Sequence, residues 1–113
     1  MHEFAVTQSL FEIVLKQAEN AGAKKITGVN MVLGALTGVV GDSVQFYFEF
    51  LSKNTPAEGA KLNIKTTPAR ARCNDCGTEF EVHDMTWFCP LCHNINLEIT
   101  GGKELLLESI DIE

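Results

Sequence analysis

With 113 residues, 45% of them hydrophobic and 21% charged, the chain has the size and composition of one domain, or of one compact domain carrying a small insert. Its net charge of −6 weighs against nonspecific nucleic-acid binding, which relies on basic patches. The longest uncharged run, residues 26–41, holds sixteen residues including four glycines, short of the ~20 mostly apolar residues that a membrane-spanning helix needs.

Residues from about Glu3 to Ala21 read as an amphipathic helix, with Leu10, Val14 and Ala18 at four-residue steps and Val6, Phe11 and Ile13 widening the stripe. Gly22 is placed to end it in a left-handed C-terminal cap. Ile26 to Leu33 is rich in β-branched residues and reads as a strand at the centre of a sheet, and Gly34 to Gly38 loosens the chain into a loop. A second helix is expected from Asp42, with Asp42 as N-cap and Gln45 completing a capping box. Its four aromatic residues, Phe46, Tyr47, Phe48 and Phe50, call for extensive cover, and Asn54-Thr55-Pro56 terminates it. Leu62 and Ile64 then alternate with Lys61, Asn63 and Lys65, the pattern of a half-exposed strand, before Pro68 marks a boundary.

The next stretch reads Cys73-Asn-Asp-Cys76, twelve residues, then Cys89-Pro-Leu-Cys92, and it contains every cysteine of the chain. Two C-x-x-C pairs at this spacing suit one tetrahedral zinc ion, each loop presenting two thiolates. Disulfides within so short a stretch would staple little of the chain, and cysteine usage of this kind implies a reducing compartment. Gly77 supplies the positive φ that a metal-binding turn often needs. Cys89-Pro-Leu-Cys92-His93 also matches the c-type haem pattern, but that chemistry requires export, and MHEFAVTQSL has no basic or apolar leader pattern. Leu97 to Thr100 and the segment from Glu104 onward read as strands separated by Gly101-Gly102. The last strand is too long to serve the cysteine module alone, so it is expected to return to the first sheet. The expected class is α+β, a small sheet packed with two helices plus an inserted zinc-ribbon-like four-cysteine module.

The chain opens Met1-His2-Glu3. The plain reading is a solvated histidine and an acid favoured in the first turn of a helix. The chemical alternative is specific: the α-amine of Met1, the amide nitrogen of His2 and the His2 imidazole close adjacent chelate rings, a planar nitrogen set suited to Ni(II) or Cu(II). The amine has an ordinary pKa of about 7.7–8.0, so a metal displaces its proton at modest cost. The Glu3 amide adds a further donor and its carboxylate a neighbouring charge. Donor chemistry alone does not choose nickel over copper.

Met1-His2-Glu3 leading into a helix, Val29–Leu36 closing in Gly34-Ala35-Leu36, the paired C-x-x-C motifs and the Leu/Ile-rich tail together resemble the HypA/HybF family of hydrogenase-maturation nickel metallochaperones. The resemblance runs over essentially the whole chain. It implies a non-enzymatic cytoplasmic protein whose His2 is the primary ligand of transient Ni(II), assisted by the amine of Met1 and the backbone of Glu3, with structural Zn(II) on Cys73, Cys76, Cys89 and Cys92. The implied division is a nickel-binding domain of residues 1–69 and 104–113 with a zinc domain, 70–103, inserted. The implied partners are a HypB-type GTPase and the hydrogenase large subunit, with urease maturation in some species. The family often has an acid where Ala35 stands, so any role of that acid is in doubt here. His83 reads as a surface histidine, whereas His93, beside Cys92, is a candidate for pH-dependent ligand exchange.

Two other readings compete. A zinc-ribbon adaptor binding protein or nucleic acid would carry basic and aromatic residues around its knuckles; this module offers Arg70, Arg72 and Trp87 against Asp75, Glu79, Glu81 and Asp84. A zinc hydrolase needs an open coordination position, which four thiolates do not leave.

Overall fold

The computed structural model describes residues 3–113. The elements run α1 (Glu3–Asn20), β1 (Ile26–Gly34), a 3-10 turn (Ala35–Thr37), α2 (Gly41–Ser52), β2 (Lys61–Thr67), β3 (Arg70–Cys73), β4 (Glu79–Glu81), β5 (Leu97–Gly101) and β6 (Leu105–Ile112). They make two three-stranded sheets, ordered β2-β1-β6 and β4-β3-β5.

Helix α1 ends as its glycine demands. Gly22 has φ +70, its N–H donates to the Glu19 carbonyl at 3.0 Å, and the Ala23 N–H donates to the Ala18 carbonyl at 3.0 Å, which together form a Schellman motif. Leu10, Phe11, Val14 and Ala18 are buried, and Phe11 meets Phe48 of α2 edge to face at 5.9 Å. Ile13 departs from the expected stripe: it is 49% exposed, because the sheet beneath α1 ends before reaching it.

Strand β1 is the axis of the first sheet. It pairs parallel with β2, using α2 as the crossover, and antiparallel with β6, so the tail returns to the first sheet as its pattern suggests. Val29, Met31 and Leu33 point into the core with Val44, Phe48 and Leu62. The opposite face carries a polar ladder in which the Asn63 amide donates to Asn30 Oδ1 at 2.9 Å and the Asn30 amide donates to Ser109 Oγ at 3.0 Å. These bonds tie all three strands without an apolar layer.

Helix α2 differs from expectation at both its start and its outer face. Its N-cap is Val40, with no side-chain cap, and the Gln45 amide instead donates to the Leu62 carbonyl at 2.8 Å. A tertiary partner on β2 has outcompeted the local capping box. Phe46 and Phe50 are 65% and 61% exposed, because α2 has only one covered face, occupied by Val44, Phe48 and Ser52.

The chain leaves the first sheet after Thr67 and re-enters it at Glu104, and both passages meet at two glycines. The Gly34 N–H donates to the Glu104 carbonyl and the Leu36 N–H to the Gly102 carbonyl, each at 2.6 Å. The Glu104 carboxylate accepts from the Thr67 hydroxyl and from the Gly102 N–H, which holds it below its ordinary pKa, the Thr67 bond first among the causes. A Cβ on Gly34 would fall on the Gly102 carbonyl; one on Gly102, whose φ is +104, would lie 2.8 Å from Ala69 Cα. Gly34→Ala should therefore destabilise the protein by about 3 kcal/mol or more, seen as a lower urea midpoint, whereas Gly41, where a Cβ would meet only Ile64 at 3.7 Å and Leu33 at 3.9 Å, should tolerate alanine far better.

Candidate metal centre

Strand β3 ends on Cys73 and runs into the first of two matching turns. In the first, the Cys73 N–H donates to the Thr78 carbonyl at 2.9 Å and the Gly77 N–H to the Cys73 carbonyl at 2.8 Å. In the second, the Cys89 N–H donates to the Asn94 carbonyl at 2.9 Å and the His93 N–H to the Cys89 carbonyl at 2.9 Å. The two knuckles thus share one backbone pattern, and His93, at φ +63, holds the place that Gly77 holds at φ +77. The turn imposes a left-handed residue after each C-x-x-C pair; glycine meets that demand freely and histidine at some cost. The signal was present in the sequence as C-x-x-C-Gly set against C-x-x-C-His. The His93 ring stacks on Phe88, with centroids 5.9 Å apart.

The four sulfurs converge. Cys73 Sγ lies 3.5 Å from Cys92 Sγ, Cys76 Sγ lies 3.5 Å from Cys89 Sγ, and all four ligand atoms sit within 4.8 Å of one another. A tetrahedron with Zn–S bonds of about 2.3 Å has edges of about 3.8 Å, so this arrangement fits a four-thiolate zinc ion and leaves no coordination position open. All four cysteines are free thiols rather than disulfides. Hydrogen bonding from Thr78, by side chain and then backbone, brings Cys76 down to about 6. At Cys92 the backbone N–H of Asn94 favours the thiolate, but lost hydration and the sulfurs of Cys73, Cys89 and Cys76 outweigh it and push the thiol up to about 12. Cys76 therefore parts with its proton easily, and a bound cation would draw off the proton that Cys92 holds.

No large side chain is fully buried in this module, where Phe80, Val82, Trp87 and Leu97 are half-buried. Between Pro68 and Gly102 the buried apolar residues are Ala69, Ala71, Cys73 and Cys89, while Met85, Phe88, Leu91, Ile95 and Ile99 are exposed. The sulfur cluster stands where a hydrophobic core would be, and the bound ion supplies the missing cohesion. Around it, Arg70 pairs with Glu79 at 3.3 Å and Glu81 at 3.5 Å, and Arg72 pairs with Glu98 at 2.7 Å. Exposed pairs of this kind add little stability, but they neutralise the two arginines that a nucleic-acid surface would have used. The His83 side chain, 73% exposed, lies 3.4 Å from the Glu81 carboxylate, as suits a surface histidine.

The other candidate ligands lie at the start of the chain. Met1 and His2 fall outside the described residues. Glu3 opens α1: its carbonyl accepts from the Thr7 hydroxyl at 2.6 Å, and its carboxylate accepts from the Val40 N–H at 3.4 Å, at the entry to α2. Phe4 meets Tyr47 edge to face at 5.2 Å. The residues immediately after His2 are thus anchored to both helices. Ala35, at the position where an acid was in question, begins the 3-10 turn that closes on the Gly102 carbonyl.

Comparison with known proteins places this geometry. The HypA family model, described as hydrogenase/urease nickel incorporation, metallochaperone, matches residues 1–112. Hydrogenase maturation factor HypA of Caldanaerobacter subterraneus subsp. tengcongensis is 44% identical over 114 residues, spanning all of both chains. Hydrogenase maturation factor HybF of Escherichia coli K12 is 40% identical over 113 residues, again spanning both. The solution structure of the Ni metallochaperone HypA from Helicobacter pylori superposes with a TM-score of 0.67 at 26% identity, covering 99% of this chain and 97% of that one.

Cys73→Ala should remove the zinc and the hydrogen-exchange protection of residues 70–101 while the helices survive; full zinc content in that variant would exclude the four-thiolate site. His93→Gly should keep full zinc and match or exceed the native melting temperature. His93→Val, forcing a β-branched residue into the left-handed region, should cost roughly 1–2 kcal/mol in the same melt.

Proposed function

This chain belongs to the HypA family of hydrogenase and urease nickel-incorporation metallochaperones, and we propose that it carries Ni(II) on its own first residues and delivers it during hydrogenase maturation. The observation that carries the reading is Met1-His2-Glu3 running directly into a helix, within a full-length family match. The Met1 amine, the His2 amide and the His2 imidazole form the donor set, with His2 as primary ligand and the Glu3 backbone completing the plane. The anchoring of Glu3 and Phe4 to α2 supports this role, since it leaves a short leash with a defined origin.

Cys73, Cys76, Cys89 and Cys92 hold a resident zinc ion that organises the module rather than activating water. We assign residues 1–69 and 104–113 to a nickel-binding domain and residues 70–103 to an inserted zinc domain. The support is the return of β6 to β1 and the separate sheet built from β3, β4 and β5. The family places the protein in hydrogenase maturation. The finer assignment is a HypB-type GTPase as partner, the hydrogenase large subunit as recipient, and urease maturation proteins as a further destination. Four free thiols suit the reducing cytoplasm, and no described helix is long and apolar enough to cross a membrane.

His2→Ala should abolish stoichiometric Ni(II) binding, measured by titration, with zinc content and circular dichroism unchanged. A version extended by one residue before Met1, which removes the terminal amine and keeps every side chain, should bind Ni(II) far more weakly and with an altered absorption spectrum. Unchanged affinity and spectrum in the extended protein would overturn the N-terminal claw.

A further inference from the structure

The first sheet has three strands, and α1 packs along the β6 side of it. Strand β6 has β1 on one side and no strand on the other among the described residues. Helix α1 overhangs that open edge. Beneath the overhang two cavities, of about 410 and 590 Å³, lie along β6 from Leu105 to Ile112. Ile13 and Gln17 of α1 form one wall, and Leu105, Leu106, Leu107 and Ile112 form the other. Ile13, Leu105 and Ile112 are 49, 40 and 41% exposed, large apolar side chains with nothing over them among the described residues.

Proteins protect open strand edges with lysine, proline, bulges or a cover. Residues 104–113 contain no lysine, arginine or proline. Besides its acidic residues, β6 carries one such device, a bulge: Ser109 pairs with Asn30 and Leu107 with Met31, leaving Glu108 unpaired between them. Glu108 also lines the groove, the only charged residue to do so among the described residues. An apolar slot with one carboxylate at its middle selects its occupant by charge. A second copy of this chain, adding its own β6, would bring Glu104, Glu108, Asp111 and Glu113 against the same four acids. The chain's net charge of −6 works in the same direction.

We infer that the space between α1 and the open edge of β6 is a docking slot for an extended segment of a partner protein, one that alternates apolar residues with lysine or arginine. The segment adds a fourth strand to β2-β1-β6. Its backbone pairs with the free edge of β6, its apolar side chains fill the space under Ile13, and a basic side chain meets Glu108. Eight residues of β6 accommodate a strand about 27 Å long. The described residues that line the slot run from Ala5 to Ala21 and from Leu105 to Ile112, together with Met31.

The test uses the zinc-loaded, nickel-free full chain, so its outcome does not depend on the nickel claw. Two capped ten-residue peptides serve as probes, one alternating valine with lysine and one alternating valine with glutamate. Fluorescence anisotropy reads affinity and hydrogen exchange reads location. The lysine peptide should bind one to one, at least about tenfold more tightly than the glutamate peptide, and should protect amides within Leu105–Ile112. Ile13→Glu, at an exposed position that leaves the core intact, should weaken binding about tenfold with unchanged circular dichroism. Glu108→Lys should reverse the preference between the peptides. Equal affinities for the two peptides, no binding of either, protection outside β6, or a concentration-dependent dimer abolished by Ile13→Glu would each overturn the inference.

Discussion

Four sulfur atoms held within 4.8 Å of one another are the constraint around which nearly a third of this molecule is arranged. The segment that carries them fully buries nothing larger than cysteine, so its strands have no fully buried layer of large apolar side chains to pack upon. Cohesion comes from a dication that four thiolates enclose, and the chemistry of the array reflects this. Thr78 eases the Cys76 proton away, while the crowded sulfurs hold the Cys92 proton fast until a metal displaces it. The two knuckles present these sulfurs with the same backbone bonds, which is why a histidine sits in a conformation that its glycine counterpart adopts without strain.

How that segment joins the rest depends on close backbone approach. Gly34 ends the central strand where the returning chain passes, and Gly102 lies over it with φ +104. The Glu104 carboxylate binds the departing Thr67 and the incoming Gly102 N–H together. The exit and re-entry of the inserted module are therefore held at one point by glycine contacts and one carboxylate. Any side chain at these glycines would separate the strands, so the Gly34-Ala35-Leu36 sequence has a steric explanation apart from any metal-binding role.

The larger remainder is a helix-covered sheet in which α1 does three jobs. Its first turn anchors the start of the chain to α2 through Glu3 and Phe4. Its inner face supplies Leu10, Phe11, Val14 and Ala18 to the core. Its outer side, with Ile13, extends beyond the sheet and roofs the open edge of β6. Cargo binding and partner docking would thus both be referenced to one rigid element, which suits a carrier that must hold a metal and meet a recipient.

Much of this was legible in the chain itself. Periodicity placed α1 and β1 to within a residue or so, Gly22 marked the helix end, and the excess length of the tail foretold the β1–β6 pairing. The spacing of Cys73, Cys76, Cys89 and Cys92 fixed the zinc site because C-x-x-C turns are local and bring their own geometry. Tertiary structure decided the rest. Gln45 left its expected cap for the Leu62 carbonyl, and Phe46, Phe50 and Ile13 stayed in solvent, because the width of a sheet is set by strands distant in sequence. The meeting of Gly34 with Gly102 and the slot beside β6 likewise arise from segments about seventy or more residues apart. Local pattern specifies which face of an element is apolar; only the assembled neighbours determine how much of that face is covered.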